Sequence, residues 1–223
     1  MNSDLLIKIP NGSSEAKISL INEDGISQHK NITINDLISK LTASFKFSTG
    51  LLPNNTRFYS GSSTDYIIGI ESPAGVRRFL KASRTNKKPE ALNIPFPNCL
   101  FIFNIKNSKI RWSKLYSLKR PAYVETDAMY RFPFGNTYSD GRICWGNNKL
   151  KIVSSPIKLM EHIAMFYDAP FNGDLFDSET INYPTNSKNV NDFWSLLVYL
   201  DGKKIFPYEI LKEMNIKLKS IMR

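Results

Sequence analysis

The chain has 223 residues, 42% of them apolar and 22% charged. That is enough to bury a core without staples, and it excludes a disordered chain. Its two cysteines, Cys99 and Cys144, and two histidines, His29 and His162, are too scattered for a zinc site, and no cofactor is expected. The longest apolar run, Phe193–Leu200, is far short of a membrane span, and Met1–Asp4 opens no basic-then-apolar leader. A soluble cytoplasmic protein is expected. The net charge of +10 is concentrated: residues 77–120 hold twelve basic residues and one acidic residue, Glu90, so this stretch is +11 and the rest is −1. Such a region suits nucleic acid, an acidic partner, or plain solvation.

In chain order, Leu5–Ile9 and Ala16–Ile21 flank the turn-rich Pro10–Ser14 and predict an antiparallel hairpin. Thr33–Leu41 predicts a short helix, with apolar residues at 34, 37, 38 and 41 and Thr33 or Asn35 as cap. Asp65–Glu71 reads as a buried strand. Val76–Ala82 is ambiguous between helix and strand, and Ser83–Asn98, with three prolines, reads as a loop. Cys99–Ile105, the turn Lys106–Lys109 and Ile110–Ser113 predict a second hairpin, with Ile110 and Trp112 on one face and Lys109 and Arg111 on the other. Beyond the middle, Pro156 opens a helix over Ile157–Tyr167, and Asn191 is placed to cap Phe193–Leu200, which Asp201–Gly202 stops. A last helix is expected from Pro207, with Ile210, Leu211 and Met214 on one side. Strands followed by helices give an α+β class.

The stretch Tyr130–Gly146 stands out, combining an amide, a Ser-Asp-Gly turn and a cysteine with few regular-structure formers. Asn136 precedes Cys144 by eight residues, and Gly141 lies between them. An attacking cysteine needs an accessible thiol, because the thiolate is the nucleophile. The side-chain N–H of an amide such as Asn136 suits a tetrahedral oxyanion. Asp140 or Tyr138 could orient or deprotonate an amine, and Arg142 could favour the thiolate. The bland readings stand beside these. A cysteine is often a small buried apolar residue, an asparagine often pins a turn, and Trp145 could simply cover a core. Cys99, Trp112, Trp194 and His162 read as core residues.

The pattern Asn136-x-Tyr138-x-x-Gly141-x-Ile143-Cys144 resembles the active-site segment of ubiquitin-conjugating enzymes. Phe134-Gly135 stands where that family has histidine and proline. Pro133-Phe134-Gly135-Asn136 with Gly141-Arg142-Ile143-Cys144-Trp145-Gly146 is more similar still to the prokaryotic branch called family D, which includes the PRTRC system protein B. Its members lack that histidine too. Weaker likeness in Leu51–Pro53, Cys99–Phe103, Phe166–Phe171 and Asn191–Trp194 extends it over roughly residues 50–200.

The resemblance implies a ubiquitin-conjugating-like fold: an antiparallel meander, an active-site loop at 133–146, then C-terminal helices. One domain is expected, with 1–50 a strand-rich extension, about 51–200 the core and 201–223 a final helix. It implies that Cys144 carries a ubiquitin-like modifier as a thioester, with Asn136 catalytic and Tyr138, Asp140, Gly141, Arg142 and Trp145 supporting. The partners it implies are the modifier, an adenylating (ThiF-like) activating enzyme that uses ATP and magnesium, and a JAB-type metallopeptidase in the same pathway. The alternative is a non-catalytic scaffold or nucleic-acid-binding module using the basic face of Arg77, Arg78, Lys81, Lys109 and Arg111. A cysteine hydrolase is weaker, because no histidine lies near Cys144 in sequence.

Overall fold

The structure, a computed structural model, describes residues 4–21, 25, 27–43, 48–83, 88–177, 179–183, 190 and 192–222. The chain divides into two compact units, Met1–Ser48 and Thr49–Arg223.

In the first unit, β1 (Asp4–Lys8) and β2 (Glu15–Ile21) form the expected antiparallel hairpin, and β3 (Ser27–Thr33) adds a third strand on the other side of β2. Sequence reading missed β3 because an edge strand needs little apolar surface: of Ser27–Thr33 only Ile32 is buried hydrophobic. The helix α1 (Ile34–Ala43) starts where expected, the Thr33 hydroxyl accepting the Asp36 backbone N–H at 3.1 Å. Leu37 joins Ala16 and Ile32 in a small core, while Ile38 is exposed.

The second unit is built on a six-stranded antiparallel sheet. Its strands are β4 (Thr56–Gly61), β5 (Asp65–Ser72), β8 (Asn98–Lys106), β9 (Lys109–Leu118), β10 (Ala128–Tyr130) and β11 (Glu213–Lys217), in the spatial order β11-β10-β9-β8-β5-β4. Between β5 and β8 in sequence, β6 (Gly75–Lys81) and β7 (Glu90–Phe96) make a separate hairpin. The helices are α2 (Leu159–Asp168) and α3 (Phe193–Leu200). Strand β8 is apolar on both faces. Cys99, Phe101, Phe103 and Ile105 meet side chains of β6, β7, α2 and α3, whereas Leu100 and Ile102 meet Phe58, Tyr116, Met129, Leu218 and Ile221. A strand buried on both sides reads as one continuous apolar run. No helix among the described residues is long and apolar enough to cross a membrane.

Several expectations are corrected. The presumed loop 83–98 contains β7, and the ambiguous Val76–Ala82 is its partner strand. Its prolines suggested a loop, yet Pro95 sits opposite Val76 in a two-stranded sheet, where each strand is an edge and a missing N–H is tolerated. Ile110 and Trp112 lie on opposite faces, because Asn104 pairs with Trp112 and Ile105 with Ile110. Arg111 is thus a bulge residue, and one extra residue inverts the alternation. The β8–β9 turn is two residues long, Asn107 and Ser108, both at positive φ, the geometry that matches strand twist.

The helix α3 is capped by Asp192, whose carboxylate accepts the Ser195 N–H at 2.8 Å; Asn191, the expected cap, lies outside the described residues. Pro207 opens no helix. A single 3₁₀ turn (Tyr208–Ile210) leads into β11, so the expected C-terminal helix over 201–223 is a strand that closes the sheet edge. Met214 and Ile216 alternate with exposed Glu213, Asn215 and Lys217, a period-two signal outweighed in the sequence reading by the proline.

Candidate active site

The expected active-site loop is anchored by aromatic rings at one end and folded into a hairpin at the other. Phe132 and Phe134 leave β10 and enter the core, with ring centroids 5.3 Å apart and Phe134 4.7 Å from Phe96. Residues 136–144 then turn back on themselves. The Cys144 N–H donates to the Asn136 carbonyl at 2.8 Å, Tyr138 N–H to Arg142 at 2.8 Å, and Gly141 N–H to Tyr138 at 2.9 Å. The eight-residue spacing from Asn136 to Cys144 is therefore a rung of this hairpin. Its returning arm docks on β9, with Ile143 N–H on Ser113 and Leu115 N–H on Gly141. Gly141 has φ +85°, and a Cβ there would strike the Tyr116 ring at 2.7 Å. Asn136 has φ +66°, a conformation asparagine tolerates better than most residues.

Opposite the hairpin runs the chain that follows α2. Phe171 pairs with β6 through Leu80 and Ala82. That pairing fixes Pro170, whose carbonyl accepts the Asn136 side-chain N–H at 3.1 Å. A Cβ on Gly135 would run into the Asn172 carbonyl oxygen, so only glycine lets the two walls approach. Between the walls lies an open groove of about 410 Å³, lined on one side by Asn136 and Cys144 to Asn148 and on the other by Pro170, Asn172, Asp174 and Leu175. Cys144 is half-buried at its edge. The second wall was missed as a functional element. Its sequence marks were the proline after a helix end and the weak likeness over Phe166–Phe171, and nothing in sequence ties Asn172 to Gly135.

The supporting side chains divide. The Tyr138 hydroxyl is 3.8 Å from Cys144 Sγ, and this hydrogen bond raises the hydroxyl pKa above its ordinary 10.0. The Arg142 guanidinium lies 5.1 Å from the Tyr138 ring centroid and donates to Asp140 at 2.7 Å. Burial works to raise the Asp140 carboxyl, but the Arg142 backbone N–H and guanidinium, with Lys114, outweigh it and hold the pKa below 3.8. Asp140 is thus engaged by Arg142. Trp145 turns inward, its indole N–H on Ser113 Oγ at 2.9 Å and its ring beside Phe166 and His162. His162 is buried, with Nδ1 on the Lys158 carbonyl. Cys99 is sealed, and burial pushes its thiol up to about 12. Among the described residues no three metal-ligating side chains cluster.

The residues expected on the basic face are spread over two sheets. Arg77 bends back to Ser72 Oγ and the Pro73 carbonyl, its guanidinium 5.0 Å from the Tyr167 ring centroid. Lys81 pairs with Glu90 at 2.9 Å. Arg78, Lys109 and Arg111 are exposed, the first on β6 and the others on β9, in different sheets.

Prokaryotic E2 family D matches residues 33–214, a span that includes the whole hairpin and both walls of the groove. The chain belongs to that family. Membership points to a ubiquitin-conjugating-like role and to transferase chemistry, with a ubiquitin-like modifier and an activating enzyme as the general classes of partner. No curated protein and no solved structure gives a significant match to the chain.

Proposed function

We propose that this family D member is a transthiolation carrier with Cys144 as the covalent residue. The observation that carries this reading is the pairing of a half-buried Cys144 with Asn136 across one hairpin rung, at the edge of an open groove. In loading, the Cys144 thiolate attacks the thioester that joins the modifier to its adenylating activating enzyme. The Sγ–carbonyl bond forms, and the activating enzyme's sulfur leaves and recovers a proton from solvent. In discharge, an amine attacks the same carbonyl carbon. The C–N bond forms, Cys144 leaves as thiolate, and the amine's excess proton passes to solvent. Both steps pass through a tetrahedral oxyanion.

Asn136 carries two side-chain N–H groups. One is used on Pro170, which holds the amide at the groove; the other has no partner among the described residues and can meet the oxyanion. The open groove beside the sulfur gives the amine a path of approach.

The test is electrophoresis without reductant after mixing the protein with its activating enzyme, modifier and ATP. A heavier band that thiol reductant removes is the expected result. No band, with an activating enzyme shown to be charged, sinks the reading.

A further inference from the structure

We propose that Tyr138 is a positioning residue for the reacting sulfur: its hydroxyl donates to Cys144 Sγ and stabilises the thiolate both as it attacks and as it leaves. The proposal rests on the carrier reading above and adds a role for a side chain that the motif alone leaves open. The Oη–Sγ distance is 3.8 Å, a hydrogen-bonding distance for sulfur, and the hydroxyl has no other partner among the described residues. The hairpin sets that distance, since the 138–142 and 136–144 rungs fix the two backbones against each other. Arg142 steadies the ring from one side, 5.1 Å from its centroid. Arg142 is itself held by Asp140, which takes its Nε at 2.7 Å and its backbone N–H at 3.1 Å. Asp140, Arg142 and Tyr138 therefore form a chain of contacts ending on sulfur.

The chemistry needs such a donor twice. Sulfur is anionic before it attacks a thioester and again once an amine has displaced it. A donor that remains protonated lowers the energy of both anions without taking part in bond exchange. The charged groups around the pair are Arg142 and Asp140, joined to each other on the hairpin, and Asp174 on the far wall of the groove. The Asp174 carboxylate opposes the thiolate, and the Tyr138 hydroxyl is a neutral donor within hydrogen-bonding distance of it.

Tyr138→Phe keeps the ring and its contact with Arg142 and deletes only the hydroxyl. The side chain is exposed, so folding is retained. The measurement is the rate of Cys144 alkylation by iodoacetamide against pH, located by peptide mapping. The midpoint should move to higher pH, and the rate at neutral pH should fall about three- to tenfold, the loss of one solvent-screened hydrogen bond to a charged group. Superimposable profiles for wild type and Tyr138→Phe overturn the proposal. So does a shift in Arg142→Gln with none in Tyr138→Phe, because the guanidinium charge would then be acting alone. Alkylation needs neither modifier nor activating enzyme, so this test and the adduct test of the carrier reading fail independently.

Discussion

Cys99 lies on β8, with a strand on each side, packed in the main hydrophobic core, its thiol fully buried and donating to the Pro97 carbonyl. Cys144 ends a hairpin made of turns and positive-φ residues, packed on β9 along one arm and open to a groove along the other. The two thiols differ in access because regular strand geometry satisfies every backbone group and closes over its side chains, whereas a hairpin docked by one arm leaves one edge uncovered. Reactivity therefore depends on how irregular backbone is held. Here two buried phenylalanines, two glycines and one asparagine do the holding.

The largest effect separates the two cysteines. Cys144→Ala should abolish the reducible adduct. Cys144→Ser, if it is charged, should give an oxyester that survives thiol reductant. Cys99→Ala should keep the adduct and lower stability by about 1 kcal/mol, the cost of a small cavity. In native protein, alkylation should reach Cys144 and spare Cys99 until denaturant is added. Labelling of Cys99 alone would invert the comparison.

Next come the residues that hold the hairpin. Gly135→Ala and Gly141→Ala should each cost roughly 2–4 kcal/mol, because one forces the groove walls apart and the other combines positive φ with a clash. Thermal unfolding checks this, and a melting temperature unchanged in both would mean that the walls are not held this closely. Asn136 has two separable duties. Asn136→Gly retains the left-handed backbone and removes only the amide. If the amide meets the oxyanion, loading should be nearly intact and discharge slowed about a hundredfold. Loss of loading together with a lowered melting temperature would assign the amide to tying down Pro170.

These experiments bear on what the sequence could reveal. The 133–146 segment was legible as a loop carrying an Asn–Cys spacing, through its resemblance to a family motif; that the spacing is a hairpin rung came only with the structure. Only the first residues of β9, Ile110–Ser113, were read as strand, whereas strands β5 and β8 were legible as apolar runs. The groove's second wall was not, because the approach of Asn172 to Gly135 joins positions 37 residues apart and leaves no periodic trace. Nor was the placement of Ile110 and Trp112, where the bulge at Arg111 shifts parity without any proline or glycine to mark it. Strand β7 was hidden by its prolines, which signal a break in a central strand but little at an edge, and β11 by Pro207, read as the start of a helix. The charge count of residues 77–120 was correct as arithmetic. It could not foresee that Arg77 turns inward to Ser72 and Pro73.

The smallest effect concerns the tip of the hairpin and is best read against pH. Asp140 is held below its ordinary 3.8, since the hydrogen bonds and charge of Arg142 outweigh the opposing effect of burial. A carboxylate with a depressed folded-state pKa stabilises the fold above its unfolded pKa and loses that contribution as pH falls through the folded value. The stability difference between wild type and Asp140→Asn should therefore be constant from neutral pH down to about 5, shrink as pH falls through the ordinary carboxylate range, and be gone only below the depressed folded-state value. The carboxylate is half exposed, so solvent screening limits the difference to no more than about 1 kcal/mol. Denaturant midpoints measured across that range decide the point. A difference that does not shrink at all as pH falls through the carboxylate range would mean that Asp140 supports the turn through packing or through a neutral hydrogen bond, and that the Arg142 pair adds nothing to the hairpin that presents Cys144.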